Sequence, residues 1–185
     1  MLVVFSGLPG VGKTTIAREL ARAIGAVHVR IDSIEQVLRN AGWQVEGEGY
    51  GVAYAVAEDN LRVGRTVIAD CVNPWPLTRR AWRSVADRAG VRAVDVEIVC
   101  SDRKEHRRRV DSRRPEIAGH NLPTWAEVAE RDYRPWTDDR IVIDTAQAEV
   151  ESSVHAILSA LPRADGTSGY LNGAGKLFRC RLGCA

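Results

Sequence analysis

Short apolar runs alternate along this chain with longer stretches in which apolar positions recur every three or four residues, the pattern of strands separated by amphipathic helices. The first run, Leu2-Val3-Val4-Phe5, breaks at a glycine-rich turn; beyond it Ile16, Leu20, Ala23 and Ile24 share one helical face, and Gly25 is a stop. A second strand is predicted over Ala26–Ile31, then a short helix carrying Ile34, Val37 and Leu38 and ending near Asn40. The loop from Gly42 to Gly51 leads into a helix predicted over Val52–Val63, which Gly64 ends. A third strand follows at Thr66–Ala69, a helix from Pro76 to Gly90 and a fourth strand at Ala93–Cys100. A strongly basic helix is predicted from Asp102, and Thr124-Trp125-Ala126-Glu127 has the form of a capping box for a helix ending near Tyr133. Arg140–Ile143 reads as a fifth strand and Ala146–Leu161 as a last helix; residues beyond Pro162 lack periodicity and are expected to be disordered.

Strands joined by helical crossovers imply an α/β fold, a parallel five-stranded sheet with helices on both faces. Such sheets bind ligands beyond the carboxyl ends of their strands. That rule selects Gly7 and its loop, Asp32, Asp70 to Asn73, Cys100 to Asp102, and Asp144-Thr145. The 185 residues, 45% of them hydrophobic, suit one domain over 1–162 with its own core. No apolar run approaches a membrane span, so a cytoplasmic protein, monomer or homodimer, is expected. Cys71, Cys100, Cys180 and Cys184 form no disulfide framework; free thiols are expected, with zinc or redox chemistry at the Cys180/Cys184 pair as the alternative.

The chemistry is concentrated in Gly7-Leu8-Pro9-Gly10-Val11-Gly12-Lys13-Thr14, a complete GxxxxGK[ST] pattern with an apolar strand before it and an amphipathic helix after it. The glycines let successive N–H groups turn inward around an anion, and the helix adds its positive end. The motif therefore predicts a nucleoside-triphosphate site, with Lys13 on the β- and γ-phosphates, Thr14 on Mg²⁺ and Thr15 supporting the first turn. Asp32 sits where a general base could orient and deprotonate an acceptor hydroxyl, or could cap the following helix. Asp70 is the candidate second Mg²⁺ residue, or a turn aspartate.

Charge sharpens this picture. The formal charge is +2, but residues 103–114 carry +5 and residues 163–185 carry +3, leaving −6 on the rest. Such localisation favours a compact polyphosphate over a broad nucleic-acid groove. On a continuous helix Arg109 and Arg113 would project from one face, where they could close over phosphate, and Pro115, Gly119 and Pro123 suit a lid spanning about 103–123. Trp43, Tyr50, Tyr54 and Trp75 are candidates for an acceptor pocket, with Glu46, Glu48, Asn73 and Arg79 or Arg80 as polar handles; Glu46 and Glu48 favour a neutral or cationic acceptor. Trp125, Tyr133 and Trp136 are expected to pack.

Through GLPGVGKTT, IDS after the second strand, TVIADCVNP at the third and RVDSRR in the lid, the chain resembles small P-loop kinases of adenylate-kinase-like architecture. More narrowly it is similar to the AAA-type group that includes the 5′-kinase domain of phage polynucleotide kinase and chloramphenicol phosphotransferase. The resemblance covers about 1–161 and implies a sheet of order 2-3-1-4-5 and Mg²⁺-dependent transfer of the ATP γ-phosphate to a hydroxyl. It also implies a base at Asp32, lid arginines at Arg109 and Arg113, and adenine beside Asp144-Thr145-Ala146. Polynucleotide kinases carry an arginine three residues after the base, where this chain has Glu35, so a nucleic-acid acceptor is disfavoured against a small hydroxyl compound. A regulatory ATPase is the third reading. A GTPase is disfavoured because no N/T-K-x-D motif occurs, and 185 residues leave no room for an AAA+ helical lid domain.

Overall fold

The LVVFS segment forms β1 (Leu2–Ser6) and is buried along its whole length, which requires neighbours on both edges and cover on both faces. The computed structural model describes residues 1–162. In it, β1 pairs in parallel with β3 (Val67–Asp70), Val3 opposite Ile68, and with β4 (Ala93–Val99), Val3 opposite Val94. β2 (Val27–Arg30) lies outside β3 and β5 (Ile141–Asp144) outside β4, so the parallel sheet has the order β2-β3-β1-β4-β5.

Because side chains alternate across a strand, β1 supplies two cores. Val3 and Phe5 pack with Ile16 and Leu20 of α1 (Lys13–Ile24) and Ile157 of α7 (Val150–Ala160). Leu2 and Val4 pack instead with Ala57 and Leu61 of α3 (Glu48–Arg62) and with Trp82 and Val85 of α4 (Pro76–Arg88). α2 (Ile31–Asn40) lies on α3, while α5 (Arg103–Ser112) and α6 (Trp125–Ala129) belong to the connection between β4 and β5. No helix among the described residues is long and apolar enough to cross a membrane.

Local signals account for most boundaries. Gly25 closes α1 in the left-handed region (φ 64°), Pro76 opens α4, Asp102 caps α5 through the Lys104 and Glu105 amides, and the Thr124–Glu127 capping box is formed. Four expectations need correction. α3 begins at Glu48 because its carboxylate accepts from the amides of Glu46 (2.7 Å) and Gly47 (2.9 Å). α7 begins only at Val150, since Asp144 Oδ1 accepts from Ser101 N and Ala146 N, both at 3.0 Å, and holds that stretch as a loop. α6 stops at Ala129, and the chain beyond it runs across the molecule, with Arg134 N donating to Pro74 O at 2.9 Å. The buried faces of two helices are also rotated: Ala23 is exposed on α1, and on α2 Gln36 is buried while Val37 is 67% exposed.

The crossing at Pro74 is held by Arg79, which is 3% exposed. Its guanidinium donates to the carbonyls of Asn73 (3.2 Å), Pro74 (3.1 Å), Arg134 (2.6 Å) and Pro135 (3.0 Å) and lies 4.0 Å from the Trp136 ring centroid. A planar, multiply donating cation suits such a ring of carbonyls, which an ammonium could not match. Arg79 therefore joins the start of α4 to the 134–135 strand of chain and does not serve as a ligand handle. Arg79→Ala is expected to cost about 3 kcal/mol and lower Tm by roughly 6–12 °C in a thermal melt, whereas Arg80→Ala on the exposed side stays within about 0.5 kcal/mol.

Candidate functional site

At the carboxyl end of β1 the chain must turn tightly, because β3 and β4 occupy both sides. Gly7 (φ 138°) and Gly10 (φ 87°) make the turn, and neither tolerates a side chain. A Cβ on Gly7 would lie 2.2 Å from Ile98 O, and one on Gly10 would lie 2.5 Å from Val110 Cγ2 of α5. The loop is fixed from outside as well: His106 Nε2 is 2.8 Å from Pro9 O, and Thr145 Oγ1 donates to Val11 O at 2.9 Å. Gly12 stands at the N-terminal cap of α1, so the loop's amides and the positive end of the helix face the same cleft.

That cleft, about 1270 Å³, is lined by Pro9, Gly10, Gly12, Lys13, Thr14 and Thr15 at one end. Gly7, Leu8 and Val11 form the loop's support without lining it. Lys13 is buried, with Nζ donating to Leu8 O at 2.9 Å. Burial pulls its pKa below the ordinary lysine range, opposed first by Asp70 and then by Asp32. Asp70, 3% exposed, lies 3.3 Å from His28 Nε2 through Oδ2, with the Thr14 hydroxyl close enough to favour its charged form. Burial pushes the Asp70 carboxyl up, but the His28 bond, Lys13 and Thr14 together hold it below its usual value, as the anion.

Thr14 and Asp70 thus meet where the loop enters α1. No group of three or more His, Cys, Asp or Glu side chains comes together as a metal site among the described residues. A hydroxyl and one carboxylate beside a polyphosphate nest is nevertheless the donor set that suits Mg²⁺, which keeps waters and phosphate oxygens as its other ligands.

Asp32 enters the cleft from the first turn of α2 with its side chain 39% exposed. Arg30, not Asp32, occupies the cap position, so the capping alternative does not hold. The nearest cation to Asp32 is Arg30, at 3.7 Å, and Arg30 also donates to Glu116 at 3.0 Å. Glu116 in turn accepts from Arg18 of α1 at 2.8 Å, drawing the segment after α5 over the cleft.

The two lid arginines do not share a helical face. α5 ends at Ser112, and Arg113 has left it with an extended backbone (φ −62°, ψ 142°). Arg109 donates to Thr145 Oγ1 (3.0 Å), Thr145 O (2.8 Å) and Glu105 Oε1 (2.7 Å). Arg113 instead reaches toward Asp32; burial lowers its pKa and the Asp32 carboxylate opposes that. Both still line the one cleft. Of the candidate acceptor residues, Tyr50, Trp75 and Glu46 line it too, and the others do not. Tyr54 lies edge-on to Trp82 at 4.6 Å in the core, Glu48 is spent on its helix start, Asn73 is fully buried, Trp43 is 62% exposed, and Arg80 points outward. Trp125, Tyr133 and Trp136 pack as expected, against His106, Glu97 and Arg79.

Cys71 and Cys100 are free thiols, and Cys180 and Cys184 lie outside the described residues. His28, Arg30 and Glu116 carried no local signal, since each acts only through a partner far along the chain.

Residues 2–131 match a family model described as an AAA domain. No curated protein matches the sequence. Among solved structures the chain is similar to the Mycobacterium tuberculosis APS kinase CysC in complex with AMPPNP and APS (TM-score 0.65, 18% identity, covering 85% of this chain and 95% of that one). It is also similar to Chaetomium thermophilum Kti12 in complex with ADP-AlF3 (TM-score 0.64, 19% identity, 88% and 100% covered). A gluconokinase from Sinorhizobium meliloti matches at TM-score 0.58 and 19% identity over 85% and 89%. At these identities the likeness is one of fold, the P-loop nucleotide-binding fold. The loop's geometry carries its own test: Gly7→Ala should destabilise the protein by about 3 kcal/mol in urea unfolding, because a backbone carbonyl cannot withdraw from the new Cβ.

Proposed function

The chain belongs to the AAA domain family whose model it matches, and within that family we propose that it is an ATP-dependent kinase passing the γ-phosphate to a hydroxyl of a small molecule. The observation that carries this reading is that Asp32 lines the same cleft as the phosphate loop with a part-exposed carboxylate, its ion-pair partner Arg30 standing off at 3.7 Å. Both hydrolysis and transfer place a residue on the attacking oxygen at this position; a carboxylate, which can take the proton of an alcohol outright, suits a hydroxyl acceptor.

In this reading the loop amides and Gly12 hold the polyphosphate, and Lys13 exchanges Leu8 O for the β- and γ-oxygens. Thr14 and Asp70 would hold Mg²⁺, which offsets the phosphate charge. Thr145 and Arg109 flank the nucleoside end. Asp32 takes the proton as the acceptor oxygen bonds to the γ-phosphorus and the bond to the β-bridging oxygen breaks, giving ADP and a phosphorylated acceptor. Arg113, beside Asp32, meets the charge that develops on the phosphoryl oxygens. A polynucleotide acceptor is not favoured: Glu35 is engaged by Arg39 at 2.8 Å and offers nothing to a substrate phosphate.

Lys13→Ala should weaken ATP binding on the order of 100-fold by calorimetry, having removed a charge-assisted phosphate contact. Asp32→Asn should keep ATP affinity while lowering transfer about 10²–10⁴-fold. The assay is an acceptor screen over metabolite, antibiotic and oligonucleotide pools, scored by a phosphate-sized mass gain. Undiminished transfer by Asp32→Asn removes the base, and ADP with free phosphate but no phosphorylated product favours the regulatory ATPase instead.

A further inference from the structure

Resting on the kinase reading, we propose that Trp75 is the platform of the acceptor subsite and that the acceptor is a cyclic polyol, a sugar or related hydroxylated ring, seated with its C–H face on the indole. Trp75 lines the cleft yet is 46% exposed. An exposed indole is ordinary; one tethered by its own N–H is less so. Nε1 donates to Asp132 Oδ2 at 3.0 Å, and Asp132 Oδ1 is held by Arg134 Nε at 2.8 Å. The backbones that carry Trp75 and Asp132 are stapled together, because Arg134 N donates to Pro74 O and Arg79 spans the carbonyls of 73, 74, 134 and 135. Trp43, more exposed still, has no side-chain tether among the described residues and does not line the cleft.

The approach to Trp75 is strained as well. Asn73, two residues earlier, has φ 50° and is fully buried, the one non-glycine with positive φ among the described residues. Its Nδ2 donates to Ser6 Oγ (3.0 Å) and its amide to Tyr50 Oη (3.0 Å). A left-handed turn at a non-glycine costs free energy and persists where the surroundings over-determine it, which is characteristic of ligand clamps. Here it precedes buried Pro74 and brings Trp75 to the surface of the cleft. A ring ordered before the ligand arrives loses little entropy on binding.

The rest of the lining selects the chemistry. Asp32, Glu35, Gln36 and Arg39 fall on one face of α2, the face lining the cleft. Glu35 and Arg39 neutralise each other, as do Glu116 and Arg30. Over the whole cleft seven basic and seven acidic side chains line the wall, Arg114, Arg131, Glu46 and Glu127 among them, so the lining offers donors and acceptors without a net charge to be matched, and the Asn121 amide adds to it. Alternating hydroxyls for the polar face and an apolar C–H face for the indole meet in a sugar-like ring.

The test is saturation-transfer-difference NMR on the full chain with AMPPNP and Mg²⁺. The probes are methyl glucoside, methyl galactoside, ribose and myo-inositol, with glycerol, sorbitol and phenol as non-cyclic and aromatic comparisons. Expected is transfer to ring C–H protons of a cyclic polyol, with affinity falling about tenfold in Trp75→Ala, retained in Trp75→Phe, and AMPPNP affinity unchanged in both. Absence of binding by all four rings, preference for the comparison compounds, or indifference to Trp75→Ala overturns the proposal. Mass analysis of the same mixtures with ATP separates the two readings. Trp75-dependent ring binding without phosphate gain keeps the subsite and removes the kinase; phosphate gain on glycerol, sorbitol or phenol alone keeps the kinase and removes the subsite.

Discussion

Everything at this site depends on how β1 ends. The strand is hydrogen-bonded along both edges and covered on both faces, so the chain leaving it meets the backbone of β4 at van der Waals distance. Only an unsubstituted α-carbon fits against the Ile98 carbonyl, and only a positive φ turns the chain upward from there. The phosphate loop is thus less a binding device added to a sheet than the one path the backbone can take out of it. Lys13 and Thr14 are carried to their places by that path, and Asp70, on the adjacent strand, is already waiting at the same height.

The electrostatic arrangement follows from this crowding. The basic run at 103–114 looks from the sequence like a reservoir of free charge, yet much of it is spent internally. Arg108 and Arg109 share Glu105, whose carboxyl they hold down to about 2, and Arg107 pairs with Asp111 at 3.4 Å. Arg113, past the helix end, escapes that pairing and turns inward. A dense stretch of like charge has been divided into a solvated surface and the cleft-lining Arg113 and Arg114, with Arg109 as the brace between them.

The five strands, the loop and the two aspartates are legible because each is written in contiguous residues: an apolar run, a glycine spacing, an acid at a strand end; the order of the strands comes instead from the family resemblance. A shared face for Arg109 and Arg113 requires a helix continuing past Ser112, where α5 in fact ends. The Arg114-Pro115 step disfavours helical backbone just there, and that signal was available. Tyr50 and Tyr54 are one turn apart on α3, and nothing in their neighbours says that one meets the cleft and the other Trp82. Arg79 and Arg80 are equivalent on paper, and only the arrival of residues 134–135 from far along the chain makes one of them a buried brace. Long-range backbone crossings are the part of the structure that local sequence does not encode.

Thr145 has a consequence of its own. Its hydroxyl donates to the loop at Val11 and accepts from Arg109 of α5, while its amide donates to Val99 O of β4. The loop after β5, the phosphate loop and the basic helix therefore all meet at one side chain, with His106 as a second tie between the helix and the phosphate loop. The end of the cleft beside Thr145 and the end at the phosphate loop are thereby mechanically linked. Relaxing one loosens the other, and His106 alone would then hold the basic helix to the phosphate loop.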